Sequence, residues 1–151
     1  MAGGWQAVRD GGLELVQHTP VDARKSAACW AILKSNDIVY VVFQGWQKSI
    51  DWIINSDGTP ISNGDTGNIT VHGGIWNALH RYGIMPVDRI KAELTALAKE
   101  KERMIVLSGH SLGGGNAELC GLELLKEDFP VSAIIAHGAP QVIQPDPSNL
   151  L

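Results

Sequence analysis

MIVLSGHSLGGG, residues Met104 to Gly115, is the stretch around which this 151-residue chain is organised. Its first four residues are apolar, which is typical of a short strand buried on both faces. The segment Gly109-His110-Ser111-Leu112-Gly113 follows at once, and Gly-x-Ser-x-Gly between a strand and a helix predicts a nucleophile elbow. In such a turn a side chain at either flanking glycine would collide with the neighbouring strand or helix. Ser111 is therefore predicted to present its hydroxyl at a helix N-terminus, where backbone N–H groups stabilise an oxyanion.

The same short pattern has simpler explanations. A glycine-rich strand-to-helix turn also binds phosphate groups, or serves only as a tight connection. The context favours the elbow, because a buried strand precedes the motif and apolar residues of a helix follow it: Leu112, Ala117, Leu119, Cys120, Leu122, Leu124 and Leu125. Ser111 is interpreted as the nucleophile, with Gly109, His110 and Gly113 forming the elbow around it.

The composition is that of one ordinary globular domain, with 44% hydrophobic and 19% charged residues. The net charge is −4 without any lysine and arginine cluster, which argues against nucleic acid as a partner because phosphate binding needs a positive surface. No run approaches the roughly 18 apolar residues of a membrane-spanning helix, and the N-terminus lacks the pattern of a secretory signal. Cytoplasmic residence, or a missing N-terminus, is the expectation.

Neither the cysteines nor the histidines indicate a bound metal. Cys29 lies in a predicted strand and Cys120 in a predicted helix, so both are expected to fill the core rather than to form a disulfide. The five histidines are scattered and show no H-E-x-x-H spacing. We therefore expect no metal and no cofactor.

The N-terminal part of the chain changes character after residue 25. Residues 1–25 are broken by Gly3-Gly4 and Gly11-Gly12, and we expect a loose segment without an assignable function. Two β-rich runs, Ala27 to Leu33 and Ile38 to Phe43, are separated by a polar turn and predict a hairpin.

Strands and helices alternate through the rest of the chain. The predicted elements are a strand at Ile69 to His72, a short helix from Ile75 to Tyr82, a helix from Val87 to Lys101, a strand at Met104 to Ser108, a helix from Ser111 to about Lys126 and a strand at Val131 to Ala136. A polar loop over residues 55–68 precedes them. This alternation predicts an α/β fold with a mostly parallel sheet flanked by helices.

Three blocks of sequence resemble the class 3 (fungal-type) lipases of the α/β-hydrolase superfamily. They are VVFQGW (Val41 to Trp46) with DWIIN (Asp51 to Asn55), VHGGI (Val71 to Ile75) and VLSGHSLGG (Val106 to Gly114), in the family's order and near its spacing. The resemblance covers roughly residues 26–143 and leaves 144–151 as a tail. It implies a partial α/β-hydrolase fold, incomplete at the C-terminus, and a serine esterase or lipase that acts on acyl esters of lipids.

The resemblance also implies an oxyanion hole formed by the backbone N–H groups of Trp46 and Leu112. Gln44 stands where the family has an arginine, and Trp46 where it has a hydroxyl residue. The backbone donor survives this change and the side-chain contribution does not; one such contact is worth about 3 kcal/mol. Residues 47–54 correspond to the family's lid, although Trp52 there also fits a simple packing anchor. His72 and His110 match positions that are structural in the family.

The acid and base of the family are not recognisable in this sequence. In α/β-hydrolases both follow the serine, yet no histidine follows His137 and Asp146 comes too early. We expect an incomplete triad and little or no turnover by this chain alone. Three interpretations stay open: a piece of a longer lipase, a lipase-like pseudoenzyme that serves as a binding module, or recruitment of His137 as the base.

The strand predicted at Val131 to Ala136 lies beside the elbow strand and has no predicted neighbour on its outer side. Pro140, Pro145 and Pro147 disfavour a further pairing strand in the tail. Because an apolar edge without charges favours pairing with another chain, we expect self-association through residues 131–136.

Overall fold

A computed structural model gives the structure of the chain, and it describes residues 6, 8–19, 28–45, 59–62, 69–80 and 85–144. Its elements are β1 (Glu14–His18), β2 (Trp30–Lys34), β3 (Ile38–Phe43), β4 (Pro60–Ile61), β5 (Thr70–His72), α1 (Gly73–His80), α2 (Pro86–Glu100), β6 (Met104–His110), α3 (Leu112–Lys126), β7 (Val131–His137) and β8 (Ile143–Gln144). Trp46, the lid-like segment 47–54 and most of loop 55–68 lie outside the described residues. Within them, no helix has the length and apolar character needed to cross a membrane.

The main sheet has five strands in the order β1-β2-β3-β6-β7. The pairs β1–β2 and β2–β3 are antiparallel, and the pairs β3–β6 and β6–β7 are parallel. The predicted hairpin is thus β2–β3, and the predicted strand-helix-strand unit is β6–α3–β7. The α/β prediction is confirmed, with a mixed sheet whose parallel part carries the elbow.

One face of this sheet is buried beneath helices. Val39, Val41 and Phe43 of β3 alternate with less buried neighbours, as expected for a strand whose two faces differ. Ile105 and Leu107 of β6 continue the same buried face, because they pair with Val39 and Val41. Helix α2 turns its apolar stripe toward the core through Val87, Ile90, Leu94 and Leu97. The end of β6 is thereby held in a close-packed frame.

The expectation of a loose segment over residues 1–25 was wrong for Glu14 to His18. A turn at Gly12, with φ +79°, leads into β1, which pairs with β2 at the edge of the sheet. Thr19 then anchors the end of the strand, because its hydroxyl accepts the backbone N–H of Trp30 at 2.7 Å. Pairing with β2, rather than the short half-exposed pattern of β1 itself, determines this strand.

A short strand that the sequence analysis does not predict lies where the tail begins. Residues Ile143 and Gln144 form β8, which pairs antiparallel with β5 in a small three-stranded sheet with β4. Just before it, the carbonyl of Val142 accepts the N–H of His72 at 2.8 Å, and the Val142 side chain is buried. Pro140 precedes the paired residues, so its missing N–H removes none of these hydrogen bonds.

Candidate active site

A single residue, Ser111, separates the end of β6 at His110 from the start of α3 at Leu112. Its backbone has φ 54° and ψ −126°, a combination that residues with a side chain rarely adopt. The chain reverses from strand to helix at this residue. Ser111 therefore stands at the tip of the turn that the Gly-x-Ser-x-Gly pattern predicts.

Hydrogen bonds on both sides hold Ser111 in this conformation. Its N–H donates to the carbonyl of His137 at 2.8 Å, at the end of the neighbouring strand β7. Its own carbonyl accepts the N–H groups of Gly114 at 2.8 Å and Gly115 at 3.3 Å in the first turn of α3. The strained residue is thus fixed by the sheet and by the helix together.

The two glycines of the motif leave no room for a side chain. A Cβ added to Gly109 would lie 2.1 Å from the carbonyl oxygen of Gly113. A Cβ added to Gly113 would lie 2.5 Å from the carbonyl oxygen of Phe43 and 2.8 Å from the carbonyl carbon of Gln44. Carbon atoms do not approach backbone this closely, so the helix start, the elbow and the end of β3 pack through bare backbone.

This packing places the turn after β3 beside the first turn of α3. Leu112 begins the helix, where the N–H groups of the first residues have no acceptor within the helix. Gly45, one residue before the predicted donor Trp46, lies against His110; a Cβ on Gly45 would lie 2.8 Å from the His110 carbonyl oxygen. The Leu112 amide and the Gln44-Gly45 turn are therefore neighbours around Ser111, while Trp46 is outside the described residues.

The three histidines near the elbow have different surroundings. The Nδ1 atom of His72 accepts the N–H of Ile75 at 3.4 Å at the start of α1, which is a structural role. The ring of His110 lies between two turns, with Nδ1 3.8 Å from a Cβ built on Gly45 and Nε2 3.9 Å from one built on Gly138. His110 and His137 are register partners on adjacent strands. In the described part of the chain, no side chain forms a hydrogen bond with the Ser111 hydroxyl, and His137 contacts the elbow through its carbonyl.

A buried ionic cluster near the C-terminal end of α3 was missed by the sequence reasoning. The carboxylate of Glu123, 9% exposed, lies 2.9 Å from Lys126 Nζ, 3.7 Å from Lys91 Nζ and 3.8 Å from His80 Nε2. Burial by itself would raise the pKa of Glu123, but His80 and Lys126 outweigh it and hold the pKa at about 2. The cluster joins side chains of α1, α2 and α3. Of its ion pairs, Glu123–Lys126 alone lies within one helix, at i,i+3 spacing, so it is the one pair that the sequence could have indicated.

The structure also shows the surroundings of the two cysteines and of the residue types that bind metals. Cys120 is fully buried, as expected for core packing, whereas Cys29 is only half-buried, and neither forms a disulfide. Among residues 6, 8–19, 28–45, 59–62, 69–80 and 85–144, no three His, Cys, Asp or Glu side chains are grouped to hold a metal ion.

The mixed sheet and the serine elbow define the chain as a protein of the α/β-hydrolase fold, and comparison with known families agrees. The family of class 3 lipases matches residues 40–150. The chain belongs to this class 3 lipase family.

Individual relatives and solved structures are similar to the chain over part of their own length. A lipase of Rhizomucor miehei is 28% identical over 119 residues, which span 76% of this chain and 32% of the relative. The mono- and diacylglycerol lipase of Aspergillus oryzae superposes with a TM-score of 0.75 at 23% identity, over 95% of this chain and 52% of its own. Lip2 lipase of Yarrowia lipolytica gives 0.66 at 20% identity, over 91% of this chain and 48% of its own. The chain thus spans about a third to a half of these proteins, and the structural matches support the fold.

Proposed function

We propose that this chain is a serine-type hydrolase of acyl esters of lipids, with Ser111 as the nucleophile. The observation that carries the proposal is the strained backbone of Ser111, φ 54° and ψ −126°, at a turn built from bare backbone. Strain of this kind persists only where surrounding structure enforces it, and it is concentrated at functional sites. The lipases among its relatives indicate the substrate class.

In the proposed reaction the Ser111 hydroxyl oxygen attacks the carbonyl carbon of the ester and loses its proton to a base. The N–H groups of Leu112 and Trp46 receive the oxyanion that forms. The bond to the alcohol oxygen then breaks, and the alcohol leaves with a proton. Water hydrolyses the acyl-serine, which releases a carboxylic acid and restores Ser111. No described side chain is hydrogen-bonded to the Ser111 hydroxyl, so the proposal assigns no residue as the base.

Acyl transfer to Ser111 is the step to measure. The purified chain is incubated with short-chain and long-chain p-nitrophenyl esters, and peptide mass spectrometry locates the bound acyl group. We expect acylation of Ser111, with slow turnover near the residual level of roughly 10³ to 10⁴ over water that remains without triad partners. Ser111→Ala should abolish this modification, whereas Ser132→Ala, at an exposed serine of β7, should leave it unchanged. Acylation only at lysines, or equal ester cleavage by Ser111→Ala, would refute the nucleophile.

Among the described residues no side chain is hydrogen-bonded to the Ser111 hydroxyl, and this observation also favours a second candidate, a lipase-like binding module without catalysis. The same experiment separates the two, because a binding module retains the folded elbow and binds a non-hydrolysable ester analogue but acquires no acyl group. A third outcome, turnover of a few per second that His137→Ala abolishes, would assign His137 as the base.

A further inference from the structure

A small cavity lies between strands β1 and β2 and helix α2, on the far side of β3 from the elbow strand β6. Its volume is about 160 Å³. A cavity of about 150 Å³ holds a benzene ring, so this one has room for a molecule of that size. The lining residues are Gln17 and His18 of β1, Trp30 of β2, and Arg89, Ala92 and Glu93 of α2. The cavity is therefore separate from the proposed acyl-ester site at Ser111.

Two side chains of opposite charge, Arg89 and Glu93, line this cavity from α2. They stand at positions i and i+4 of the helix, where Cβ atoms are about 5–6 Å apart. The cation precedes the anion, which is the weaker order for pairing along a helix. In the described part of the chain, neither side chain forms an ion pair or a hydrogen bond. Both charges are therefore available to a ligand.

The β2 wall of the cavity is the side chain of Trp30, which is 4% exposed. Its indole N–H is buried and forms no hydrogen bond with the residues that the structure describes, although buried indole N–H groups usually have an acceptor. On the β1 wall, Gln17 Oε1 accepts the N–H of His18 at 3.1 Å, and His18 Nδ1 donates to the carbonyl of Thr19 at 2.8 Å. The unpaired groups of the lining thus include a cation, an anion and an N–H donor.

We propose that this cavity binds a small zwitterion with a carboxylate and an ammonium group on one carbon, an α-amino acid with an apolar side chain. The carboxylate accepts hydrogen bonds from the Arg89 guanidinium and the Trp30 N–H, and the ammonium donates to the Glu93 carboxylate. The apolar part packs against the Trp30 ring and Ala92. A simple carboxylic acid would leave Glu93 unpaired beside a second negative charge, and a simple amine would do the same beside Arg89. The two charges of α2 therefore select a ligand that carries both signs.

A titration with L-leucine, followed by ¹H–¹⁵N NMR of the full chain, tests the proposal. We expect saturable shifts of the Trp30 indole N–H signal and of the backbone amides of Gln17 and Ala92. Two matched probes each lack one charge: 4-methylpentanoate has no ammonium group, and 3-methylbutylamine has no carboxylate. Each should bind at least about tenfold more weakly than L-leucine, because one hydrogen-bonded charge pair is lost.

Arg89→Gln and Glu93→Gln should each weaken L-leucine binding at least about tenfold. Arg89 is exposed and Glu93 is half-buried on α2, so both variants should keep the fold, which their unchanged spectra away from the cavity would show. Lys99→Gln is the matched control, because it removes a charge from an exposed position of α2 outside the cavity and should leave binding unchanged.

Three results would overturn the proposal. The first is the absence of saturable shifts with L-leucine. The second is binding of 4-methylpentanoate or 3-methylbutylamine as tight as that of L-leucine, which would make the cavity a site for a single charge. The third is L-leucine binding that survives Arg89→Gln and Glu93→Gln, or that Lys99→Gln weakens equally.

Discussion

The backbone N–H of Ser111 donates a hydrogen bond to the carbonyl of His137 at 2.8 Å. The two residues are far apart in sequence, and the contact ties the tip of the elbow to the end of the adjacent parallel strand. A residue in a sparsely populated backbone region costs of order 1–3 kcal/mol and persists only when other contacts determine it. The conformation of Ser111 therefore depends on the assembled sheet and not on the local motif alone.

Ser111→Gly should be more stable than Ser111→Ala. Both variants lack the hydroxyl, but glycine adopts φ 54° and ψ −126° without a Cβ clash, whereas alanine retains the strain. Part of the gain is offset because glycine loses more conformational freedom on folding. We expect a net difference of about 1 kcal/mol in the free energy of unfolding, measured in urea. Equal stability of the two variants would mean that the backbone at this turn is relaxed.

Gly109→Ala and Gly113→Ala should each destabilise the fold by at least about 3 kcal/mol, because the new Cβ meets backbone atoms that cannot move aside. Thermal or urea unfolding gives the measurement. Gly12→Ala is the control: an added Cβ there meets nothing within 4 Å, and only its φ of +79° opposes alanine, at about 1 kcal/mol. If all three variants lose the same unfolding free energy, the close approach of backbone atoms does not explain why the elbow has glycine at positions 109 and 113.

The sequence predicts those strands and helices that have a clear hydrophobic pattern within their own residues. Strand β3 is apolar at nearly every position and α2 repeats its apolar residues at helical spacing, so both were recognised almost to their ends. Strands β1 and β8 were missed because they are short, and their partners β2 and β5 determine them. The turn at Ser111 follows from its glycines, whereas its bond to His137 arises only when β7 takes its place in the sheet.

Cys120 should resist thiol reagents until the protein unfolds. Burial raises the pKa of its thiol to about 12, and the reactive species is the thiolate. In a Cys29→Ser variant at neutral pH, iodoacetamide should modify Cys120 only as fast as the fold opens, so the rate should rise with urea. The half-buried Cys29, tested in a Cys120→Ala variant, should react faster in native conditions. Rapid native modification of Cys120 would show that α3 opens locally.

At acidic pH the fold should lose the stabilisation that the Glu123 carboxylate contributes to the free energy of unfolding. Burial raises the pKa of this carboxyl, but His80 and Lys126 outweigh that effect, so the pKa is about 2 in the folded chain against an ordinary value of 4.5. A carboxyl whose pKa is lowered on folding stabilises the fold at every pH above its unfolded value. That stabilisation, about 1–3 kcal/mol after allowance for partial solvent screening, should be lost as the pH falls from about 4.5 toward 2.

Urea unfolding of the parent and of Glu123→Gln between pH 7 and pH 2.5 measures this contribution. The parent should be the more stable of the two at pH 7, because the neutral amide of the variant removes the carboxylate charge that faces Lys126 Nζ at 2.9 Å and Lys91 Nζ at 3.7 Å. The difference should shrink as the pH falls below about 4.5, because the carboxyl of the unfolded parent then takes up a proton while that of the folded parent stays ionised down to about pH 2. Glu100→Gln supplies the comparison, since that side chain is 57% exposed and its ion pair with Lys34 is worth less than about 1 kcal/mol. If the difference in unfolding free energy between the parent and Glu123→Gln stays constant down to pH 2.5, the packing of the Glu123 side chain, and not its charge, stabilises the contact of α3 with its neighbouring helices.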